Sequence, residues 1–403
     1  MRLFRLVGFS ALFLVSALPL AAGESPARST LEVRSDFPGG SAQVGTIDQA
    51  RRAIHVQPAD HPDRGWRCWW YFKVTGIEPG ETITVEVTGD GFTLPDRAAV
   101  SLDDRTWTQT APGRRGDRTM TWTHRVDARE AYFAWGPPYL PSHTADLVAR
   151  STKACPAAVA FDLCRTPEGR PVRGLRVSEA DEADCGRRGV WIQARQHAWE
   201  SGSSWVCDGL TDWLVSADPR AAALRRRALV VVVPILDVDN VVRGAGGKNE
   251  RPQDHNRDWS DSPHWPAVRA AMAEVRRMDA GRQFALFVDL HNPGAADKTP
   301  NFYTSPADLQ TGLQRLALER FLKAAKAEVT GPLAFTGKVT ESGPKYDKDW
   351  ERIAKNWVYR NTNDRVVAVS LETPWNTPHS TVDGYRRMGQ EMGLAIERFL
   401  RAE

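Results

Sequence analysis

The sequence lacks a charge excess, a second long apolar run and a Cys-x-x-Cys pair. Its 53 Lys and Arg are nearly balanced by 50 Asp and Glu, for a formal net charge of +3. Nothing electrostatic therefore indicates a nucleic-acid or membrane-surface partner. Without a Cys-x-x-Cys pair, a cysteine zinc ribbon is not expected among its five cysteines. Internal repeats and low-complexity tracts are absent as well. With 403 residues, the chain is long enough for two or three ordinary domains.

The first two dozen residues have the pattern of a secretory signal peptide. Arg2 and Arg5 form a basic start, residues 6–18 are apolar, and small residues lead up to Gly23. The apolar run is shorter than the roughly 20 residues of a spanning helix. We expect residues 1–23 to be removed and the chain to be exported, to the periplasm or the medium, without stable membrane insertion. A retained anchor is the alternative.

Export would allow the cysteines to oxidise. Cys155 and Cys164 are close enough in sequence to close a short loop, whereas Cys207 lies in an amphipathic segment and is typical of a small buried residue. An odd number leaves at least one thiol free or linked to another chain, and the spacing leaves the connectivity open. The five positions are Cys68, Cys155, Cys164, Cys185 and Cys207.

The hydrophobic pattern changes near residue 140. Before it, short alternating runs such as 69–74 and 82–88 are separated by turn residues, which predicts a small β-sandwich over residues 26–140. Residues 136–141 have the composition of a linker. From 141 to 403, strand-like runs alternate with helical periods. This alternation predicts a catalytic domain of the α/β class, with a mixed, largely parallel sheet covered by helices on both faces.

Two helix starts in the second part are suggested by capping residues. Ser204 is expected to cap a helix that follows the strand 190–194. Ser305-Pro306 is expected to open a later helix, because proline is favoured in the first helical turn.

Chemically useful side chains follow three of the predicted strands. His197 and Glu200 come after the strand 190–194, His291 after 284–288, and Glu372 after 366–371. Because α/β enzymes collect their chemistry at the carboxyl ends of parallel strands, we expect these residues to meet. Two histidines and one carboxylate would hold zinc and leave one coordination position open. The other carboxylate would then be free to act as a base.

A polar segment lies between these fragments. Asn256 and Arg257 are adjacent, and together they can bind a carboxylate, the arginine by a two-pronged ion pair. Asp254 precedes Asn256 by two residues, so in an extended segment both side chains would point to one face. Asp254 could there hold the free nitrogen of His197 and fix its tautomer. A polar loop with a surface ion pair is the alternative.

Together these segments resemble the zinc carboxypeptidase family, in particular its branch of cytosolic-carboxypeptidase-like proteins, many of them bacterial. The resemblance rests on residues 196–205, 234–240, 254–259 and 289–291, together with Glu372, and it extends over most of the mature chain. In that branch a β-sandwich precedes the catalytic domain. The resemblance implies an exported, zinc-dependent metallocarboxypeptidase with one zinc per chain, acting on the C-terminus of peptides or proteins.

The resemblance also implies roles for individual residues. The base would take a proton from the attacking water and deliver it to the leaving amine. Binding of the terminal carboxylate would place only the last peptide bond at the metal. The zinc ligands would be His197, Glu200 and His291, the base Glu372, and the carboxylate-binding residues Asn256 and Arg257.

The chain departs from the family pattern at two places near the site. Residues 198–199 are Ala-Trp instead of Pro-Gly. Gly247 stands where the family has the arginine that stabilises the developing oxyanion, and the loss of such a donor costs roughly 100- to 1000-fold in rate. Lys248 and Arg251 are close enough in sequence to replace it. For the mobile tyrosine of the family we favour Tyr346 over Tyr359.

The preference for one C-terminal side chain over another depends on the pocket that receives that side chain. The segment 336–369 is expected to form the pocket for the last side chain, and its positive charges would suit an acidic residue. Charge runs are more often solvated faces, so both interpretations stay open. The basic residues are Lys338, Lys345, Lys348, Arg352, Lys355, Arg360 and Arg365.

Two other functions are compatible with the sequence. One is a periplasmic amidase or carboxypeptidase acting on cell-wall (murein) peptides, which also present a carboxylate beside the scissile amide. The other is a non-catalytic protein whose sandwich binds peptide or glycan.

Overall fold

The computed structural model describes residues 1, 8, 28–90, 94–179 and 187–402. The signal peptide expected at residues 1–23 therefore falls almost wholly outside the described residues, and Cys185 does as well. In the part of the chain that is described, no helix is both long and apolar enough to cross a bilayer.

The first part of the chain folds into two five-stranded sheets. One has the order β1-β4-β10-β6-β7 and the other β2-β3-β5-β9-β8. Their inner faces share one core, in which the rings of Trp70 and Trp122 lie 5.5 Å apart. The expected N-terminal β-rich fold is confirmed. The strands are β1 (Glu32–Arg34), β2 (Gln43–Asp48), β3 (Ala53–Gln57), β4 (Tyr71–Thr75), β5 (Glu81–Thr88), β6 (Ala99–Ser101), β7 (Thr108–Gln109), β8 (Arg114–Arg115), β9 (Thr119–Val126) and β10 (Glu130–Ala134).

The second part contains an eight-stranded mixed sheet and eight α-helices within the described ranges. The strands are β11 (Ala158–Arg165), β12 (Pro171–Val177), β13 (Arg188–Ala194), β14 (Ala228–Val233), β15 (Phe284–His291), β16 (Asn301–Thr304), β17 (Val339–Glu341) and β18 (Val367–Glu372). The helices are α1 (Pro141–Ala154), α2 (Ser201–Leu214), α3 (Pro219–Arg227), α4 (Val238–Arg243), α5 (Pro266–Asp279), α6 (Gly312–Glu328), α7 (Ala354–Asn361) and α8 (Val382–Arg401).

The middle of this sheet is parallel. Its order is β11-β12-β14-β13-β15-β18-β16-β17. The four adjacent strands β14, β13, β15 and β18 pair in parallel. All eight residues of β15 are buried, so both faces of the sheet are covered. Helices α2 and α5 each contact both β13 and β15. The predicted mixed, largely parallel α/β fold is confirmed.

Both predicted helix starts are wrong. Helix α2 begins at Ser201, and Ser204 donates its hydroxyl to the carbonyl of Pro234 at 2.7 Å instead of capping. Helix α6 begins at Gly312, where the side chains of Thr311 and Gln314 form a capping box. A short 3-10 turn separates Ser305-Pro306 from that helix. Like Ser204, Ser305 uses its hydroxyl for a distant contact, because it donates to the side chain of Asn356 in α7.

The four described cysteines are free thiols, so the Cys155–Cys164 bridge that the spacing allows is not formed. The reason is geometric. Cys155 ends α1, whereas Cys164 lies near the far end of β11. An extended strand rises about 3.3 Å per residue, so the two are held roughly 20 Å apart, well beyond the range of a disulfide. Cys207 is fully buried within α2, as expected.

Helices α2 and α8 cross at very short range because both have glycine at the crossing. A Cβ on Gly389 would lie 2.0 Å from the carbonyl oxygen of Val206, and one on Gly209 would lie 2.1 Å from that of Arg386. This crossing matters for the site, because α2 starts directly after Glu200.

We predict that Gly389→Ala destabilises the protein by about 1–3 kcal/mol, because the added methyl group would overpack a backbone contact. Alanine's helix preference of roughly 1 kcal/mol over glycine is too small to compensate for a 2.0 Å contact. The measurement is thermal unfolding. Gly312→Ala is the matched control, since a Cβ there meets nothing within 4 Å. Equal melting temperatures for the two variants would contradict the close crossing.

Candidate active site

Three parallel strands bring the predicted residues to one edge of the sheet. His291 and Glu372 are the last residues of β15 and β18, and they pair directly in the register of these strands. The neighbouring strand β13 ends at Ala194, opposite Leu290, and the chain then turns through His197 to Glu200. The carboxyl ends of the three strands therefore supply all four residues.

The carboxylate of Glu200 lies between the two histidines. Its Oε1 is 2.8 Å from Nδ1 of His197, and its Oε2 is 2.7 Å from Nδ1 of His291. All three side chains are buried, and one ligand atom from each lies within 4.8 Å of the others. Two nitrogens and one carboxylate oxygen in a buried cluster are the donor set of a catalytic zinc.

Each histidine is oriented from behind by a carboxylate. Nε2 of His197 lies 3.2 Å from Oδ1 of Asp254, and Nε2 of His291 lies 2.8 Å from Oδ2 of Asp289. These contacts leave both Nδ1 atoms facing Glu200. Such carboxylate–histidine pairs fix the tautomer of a metal-binding imidazole and increase its basicity.

The role of Asp289 was not identified from the sequence. Its Oδ2 also accepts from Gln196 at 2.6 Å and its Oδ1 from Gln193 at 3.1 Å. The indole of Trp259 in turn donates to Gln196 at 2.8 Å. The signal was available: residues two apart on a strand share a face, so Asp289 and His291 had to point the same way.

The electrostatics of the cluster favour a cation. Burial alone would raise the pKa of Glu200, but the two histidines hold it below its ordinary value. Burial likewise opposes ionisation of Asp254, yet His197 holds its pKa well below the ordinary range. The carboxylates therefore stay ionised in a buried site, which suits a divalent metal.

Glu372 differs from the other carboxylates of the site. Its Oε2 is buried and has no hydrogen-bond partner among the described residues. Burial, together with the charge of Glu200, raises the pKa of Glu372 to about 7, although His291 acts in the opposite direction. A carboxylate with a free oxygen and a pKa near neutrality is suited to taking up and releasing a proton.

Asp254 reaches His197 from a conformation that the sequence interpretation did not anticipate. Residues His255–Arg257 form a 3-10 turn, and Asp254 caps it by accepting from the backbone N–H of Asn256 at 2.7 Å. The expectation of an extended segment is wrong, because the capping carboxylate folds the segment into a turn. The contact with His197 is nevertheless the expected one.

Asp254 lies outside the lining of a cavity of about 220 Å³, which most of the other predicted site residues line. Lys248 and Tyr346 are among them, whereas Arg251 is not: its side chain is 82% exposed and lies 3.9 Å from Asp63. Lys248 is thus the only one of the two oxyanion candidates that reaches the cavity. Besides these, the lining includes His197, Glu200, His291, Glu372, Asn256, Arg257, Trp66, Trp199, Tyr303 and Lys355.

Asn256 and Arg257 are held in place by several polar contacts, one of them to a candidate metal ligand: Nδ2 of Asn256 lies 3.2 Å from Nε2 of His291. The Oδ1 of Asn256 accepts from the N–H of Ala354 at 3.0 Å. The guanidinium of Arg257 pairs with Asp347 at 2.9 Å and donates to the carbonyl of Asn256 at 2.9 Å. A rigid amide and guanidinium at one end of a cavity are suited to binding a carboxylate.

Lys355 is the one residue of the basic segment that lines the cavity. It lies in the first turn of α7, is 1% exposed and donates to the hydroxyl of Ser342. No carboxylate of the described residues lies within ion-pair distance of it. Burial and the charge of Arg257 lower its pKa to about 7. The sequence could not single out Lys355 among seven basic residues, since the register of α7 decides which of them turns inward.

The ligand set resembles that of known zinc peptidases. The chain belongs to the zinc carboxypeptidase family: a model of that family matches residues 146–379. A model of the cytosolic carboxypeptidase N-terminal domain matches residues 33–135. The resemblance stated from the sequence is thereby confirmed.

Curated relatives share moderate identity with the chain. An uncharacterised protein of Zymomonas mobilis is 29% identical over 240 residues, which cover 58% of this chain and 60% of that protein. Cytosolic carboxypeptidase 1 of Danio rerio is 27% identical over 187 residues, covering 43% of this chain and 16% of that protein. The chain thus spans 60% of the first relative and a small part of the second.

Solved structures share the fold over nearly the whole chain. A metallo-carboxypeptidase from Burkholderia cenocepacia has a TM-score of 0.80 at 23% identity, covering 93% of this chain and 99% of that one. A metallo-carboxypeptidase from Pseudomonas aeruginosa, in complex with (2-guanidinoethylmercapto)succinic acid, has a TM-score of 0.77 at 22% identity, covering 91% and 98%. These likenesses extend through both parts of the fold.

We predict that Asp254→Asn weakens zinc binding about 10- to 100-fold, because the amide cannot hold the His197 imidazole as the carboxylate does. Competition with a chromogenic chelator measures the affinity. Asp127→Asn is the matched control, since that carboxylate lies in an exposed pair with Arg125. Equal zinc affinities in the two variants would show that Asp254 does not orient the ligand.

Proposed function

We propose that the chain is a zinc-dependent carboxypeptidase that removes the last residue of peptides or proteins. The observation that carries this proposal is the composition of one cavity. A base with an unpartnered oxygen, Glu372, faces the same space as three metal ligands and a fixed pair of carboxylate-binding residues, Asn256 and Arg257. These are the parts that hydrolysis at a chain end requires.

Substrate binding starts with the terminal carboxylate. The amide of Asn256 and the guanidinium of Arg257 hold it at one end of the cavity, with Asp347 keeping the guanidinium in position. This places the last peptide bond within reach of Glu372. A chain that continues beyond the residue bound here has no terminal carboxylate at this point and cannot make the same contacts. Fixing the reacting groups in this way contributes much of the catalysis.

The proton transfers fall to Glu372. It accepts a proton from the attacking water and delivers that proton to the nitrogen of the departing residue. Zinc held by His197, Glu200 and His291 supplies the Lewis acid for this chemistry. The ammonium of Lys248, in the same cavity, stabilises the negative charge that develops on the carbonyl oxygen.

The test is a pair of measurements on purified protein. We predict about one zinc per chain in the wild type and in Glu372→Gln, together with loss of peptidase activity in the variant, because the amide cannot take up the proton. Zinc is measured by mass spectrometry and activity by the products of a peptide panel that includes cell-wall peptides. A metal-free wild type, or an active Glu372→Gln, would overturn the proposal. Preferential digestion of cell-wall peptides would favour the amidase instead.

We further propose that the cavity prefers an acidic last residue. Lys355 is buried at the cavity without a carboxylate partner among the described residues, so an incoming carboxylate would stabilise its charged form. A buried cation that is unpaired is costly, and its pairing with substrate offsets that cost. The other basic residue suited to comparison, Lys338, is half-exposed and already paired with Asp297.

We predict that Lys355→Met lowers kcat/KM for peptides ending in Glu by about 30-fold or more relative to peptides ending in Leu, because losing one partner of a buried charge pair costs about 2–5 kcal/mol. Lys338→Met is the matched control and should leave the ratio unchanged. In the wild type the Glu/Leu ratio should fall as pH rises through about 7, since Lys355 is charged below its pKa and neutral above it. An unchanged ratio in Lys355→Met would contradict the assignment.

We also propose that the chain is exported. Support comes from the basic start, the apolar residues 6–18 and the small residues before Gly23. Expressed in a bacterial host, the full-length chain should appear outside the cytoplasm with a new N-terminus near residue 24, as N-terminal sequencing would show. Deleting residues 2–23 should keep it in the cytoplasm. A full-length chain that is retained there uncleaved would contradict export.

A further inference from the structure

The loop that carries Lys248 is attached to the N-terminal sandwich. The N–H of Trp66 donates to the carbonyl of Lys248 at 2.9 Å, and the N–H of Gly247 donates to the carbonyl of Arg64 at 2.9 Å. A third backbone bond, 2.8 Å long, runs from Arg251 to Asp63. Residues 63–66 of the sandwich therefore pair with residues 247–251 of the catalytic part.

Glycine makes this close approach possible. Gly65 has φ +86°, and a Cβ on it would lie 2.5 Å from the carbonyl oxygen of Lys248. On the opposite side, a Cβ on Gly246 would lie 2.0 Å from the carbonyl oxygen of Trp66. Side chains at these two positions would force the segments apart, so the sequence of both segments is adapted to their contact.

In this chain Gly247 stands where the family has its oxyanion-stabilising arginine, and an arginine side chain does not fit at this position. Gly247 has φ +77°, and a Cβ there would lie 2.7 Å from both the backbone nitrogen of Ala198 and Oδ2 of Asp237. The N–H of Trp199 also donates to the carbonyl of Gly246 at 3.1 Å. The two departures from the family pattern, at residues 198–199 and at Gly247, are therefore in direct contact. The positive charge has to come from a neighbouring residue.

The inner end of the same loop is held by a buried polar network. Glu250 accepts from Nδ1 of His255 at 2.5 Å and from Asn240 at 2.7 Å, and Asn240 also donates to Asp237 at 2.8 Å. Although burial acts in the opposite direction, Asp237 and Glu250 raise the pKa of His255 to about 9, so its positive charge balances these carboxylates. The backbone on either side of Lys248 is thus fixed.

The side chain of Lys248 lies beside an aromatic ring of the sandwich. Its Nζ is 5.4 Å from the ring centroid of Trp66, and both residues line the catalytic cavity. No carboxylate among the described residues lies within 4.0 Å of this ammonium. The ring face attracts a cation without using its N–H groups, so these remain available to a substrate oxygen.

We propose that Trp66 is a positioning residue for the oxyanion-stabilising Lys248, so that the N-terminal sandwich completes the active site of the catalytic part. This inference rests on the proposed carboxypeptidase function. The indole restricts the lysine side chain to orientations directed into the cavity, which a lysine on a free loop would adopt only part of the time. Preorganised charge of this kind acts on the transition state more than on the bound substrate.

The experiment is a double-mutant cycle in the full-length chain with one peptide substrate. Lys248→Met should lower kcat by about 100- to 1000-fold. Trp66→Leu should lower kcat by about 3- to 30-fold with little change in KM, the range expected for a cation–π contact. Trp66→Phe should retain most of the activity. In the Lys248→Met background, Trp66→Leu should have almost no further effect, because the two residues act together.

Tyr132→Leu is the matched control. Tyr132 places its ring 5.3 Å from Nζ of Lys73 on the same sandwich, away from the catalytic cavity, and its loss should leave kcat unchanged. Equal effects of Trp66→Leu with and without Lys248, or an unchanged kcat in either single variant, would overturn the inference while leaving the carboxypeptidase function intact. Should Trp66→Leu fold poorly, Trp66→Phe and a Trp66→Met variant of matched melting temperature provide the same comparison. A wild type without peptidase activity would overturn both proposals.

Discussion

The site depends on the parallel pairing of β13, β15 and β18. Because these strands end side by side, their last residues reach one edge of the sheet without any long loop, and His291 lies directly opposite Glu372. A large apolar cluster packs around these strands, and β15 is buried along its whole length. Of the three candidate metal ligands, His291 therefore lies on a fully buried strand, and His197 and Glu200 follow directly after the neighbouring strand β13. Precise placement of ligands requires such support.

The second constraint is that charge buried at this edge must be compensated. Asp254 and Asp289 each contact a histidine, and Gln196 and Gln193 satisfy the remaining oxygens of Asp289. Glu372 and Lys355 are the exceptions, since neither has an oppositely charged partner among the described residues. Burial shifts the pKa of both toward 7: it raises the pKa of the Glu372 carboxyl group and lowers the pKa of the Lys355 amine. Buried groups that remain uncompensated at a cavity are typical of functional sites.

The sequence predicted those parts of the site that are set by local rules. Strand ends fix the positions of His291 and Glu372. Residue types indicate a candidate ligand set, which the structure brings together in one buried cluster. Asp254 was assigned the right contact from the wrong conformation, since its capping of a 3-10 turn depends on the surrounding loop. The starts of α2 and α6 were misplaced because Ser204 and Ser305 bind distant parts of the chain instead of capping a helix. The possible Cys155–Cys164 bridge is not formed because an extended strand separates the two thiols. Lys355 and Trp66 could not be recognised from the sequence: the register of α7 turns the first inward, and the second reaches the cavity only through contact between the two parts of the fold.

The N-terminal sandwich and the catalytic sheet thus form one functional unit, joined where a loop without the family's arginine meets Trp66. The central claim is that this unit removes single residues from a C-terminus with the help of bound zinc. Mass spectrometry of the products formed from a defined linear peptide tests it most directly. The account predicts stepwise shortening by one C-terminal residue, abolished by a chelator and restored by Zn²⁺. Internal cleavage, or no cleavage by a chain that holds zinc, would contradict it.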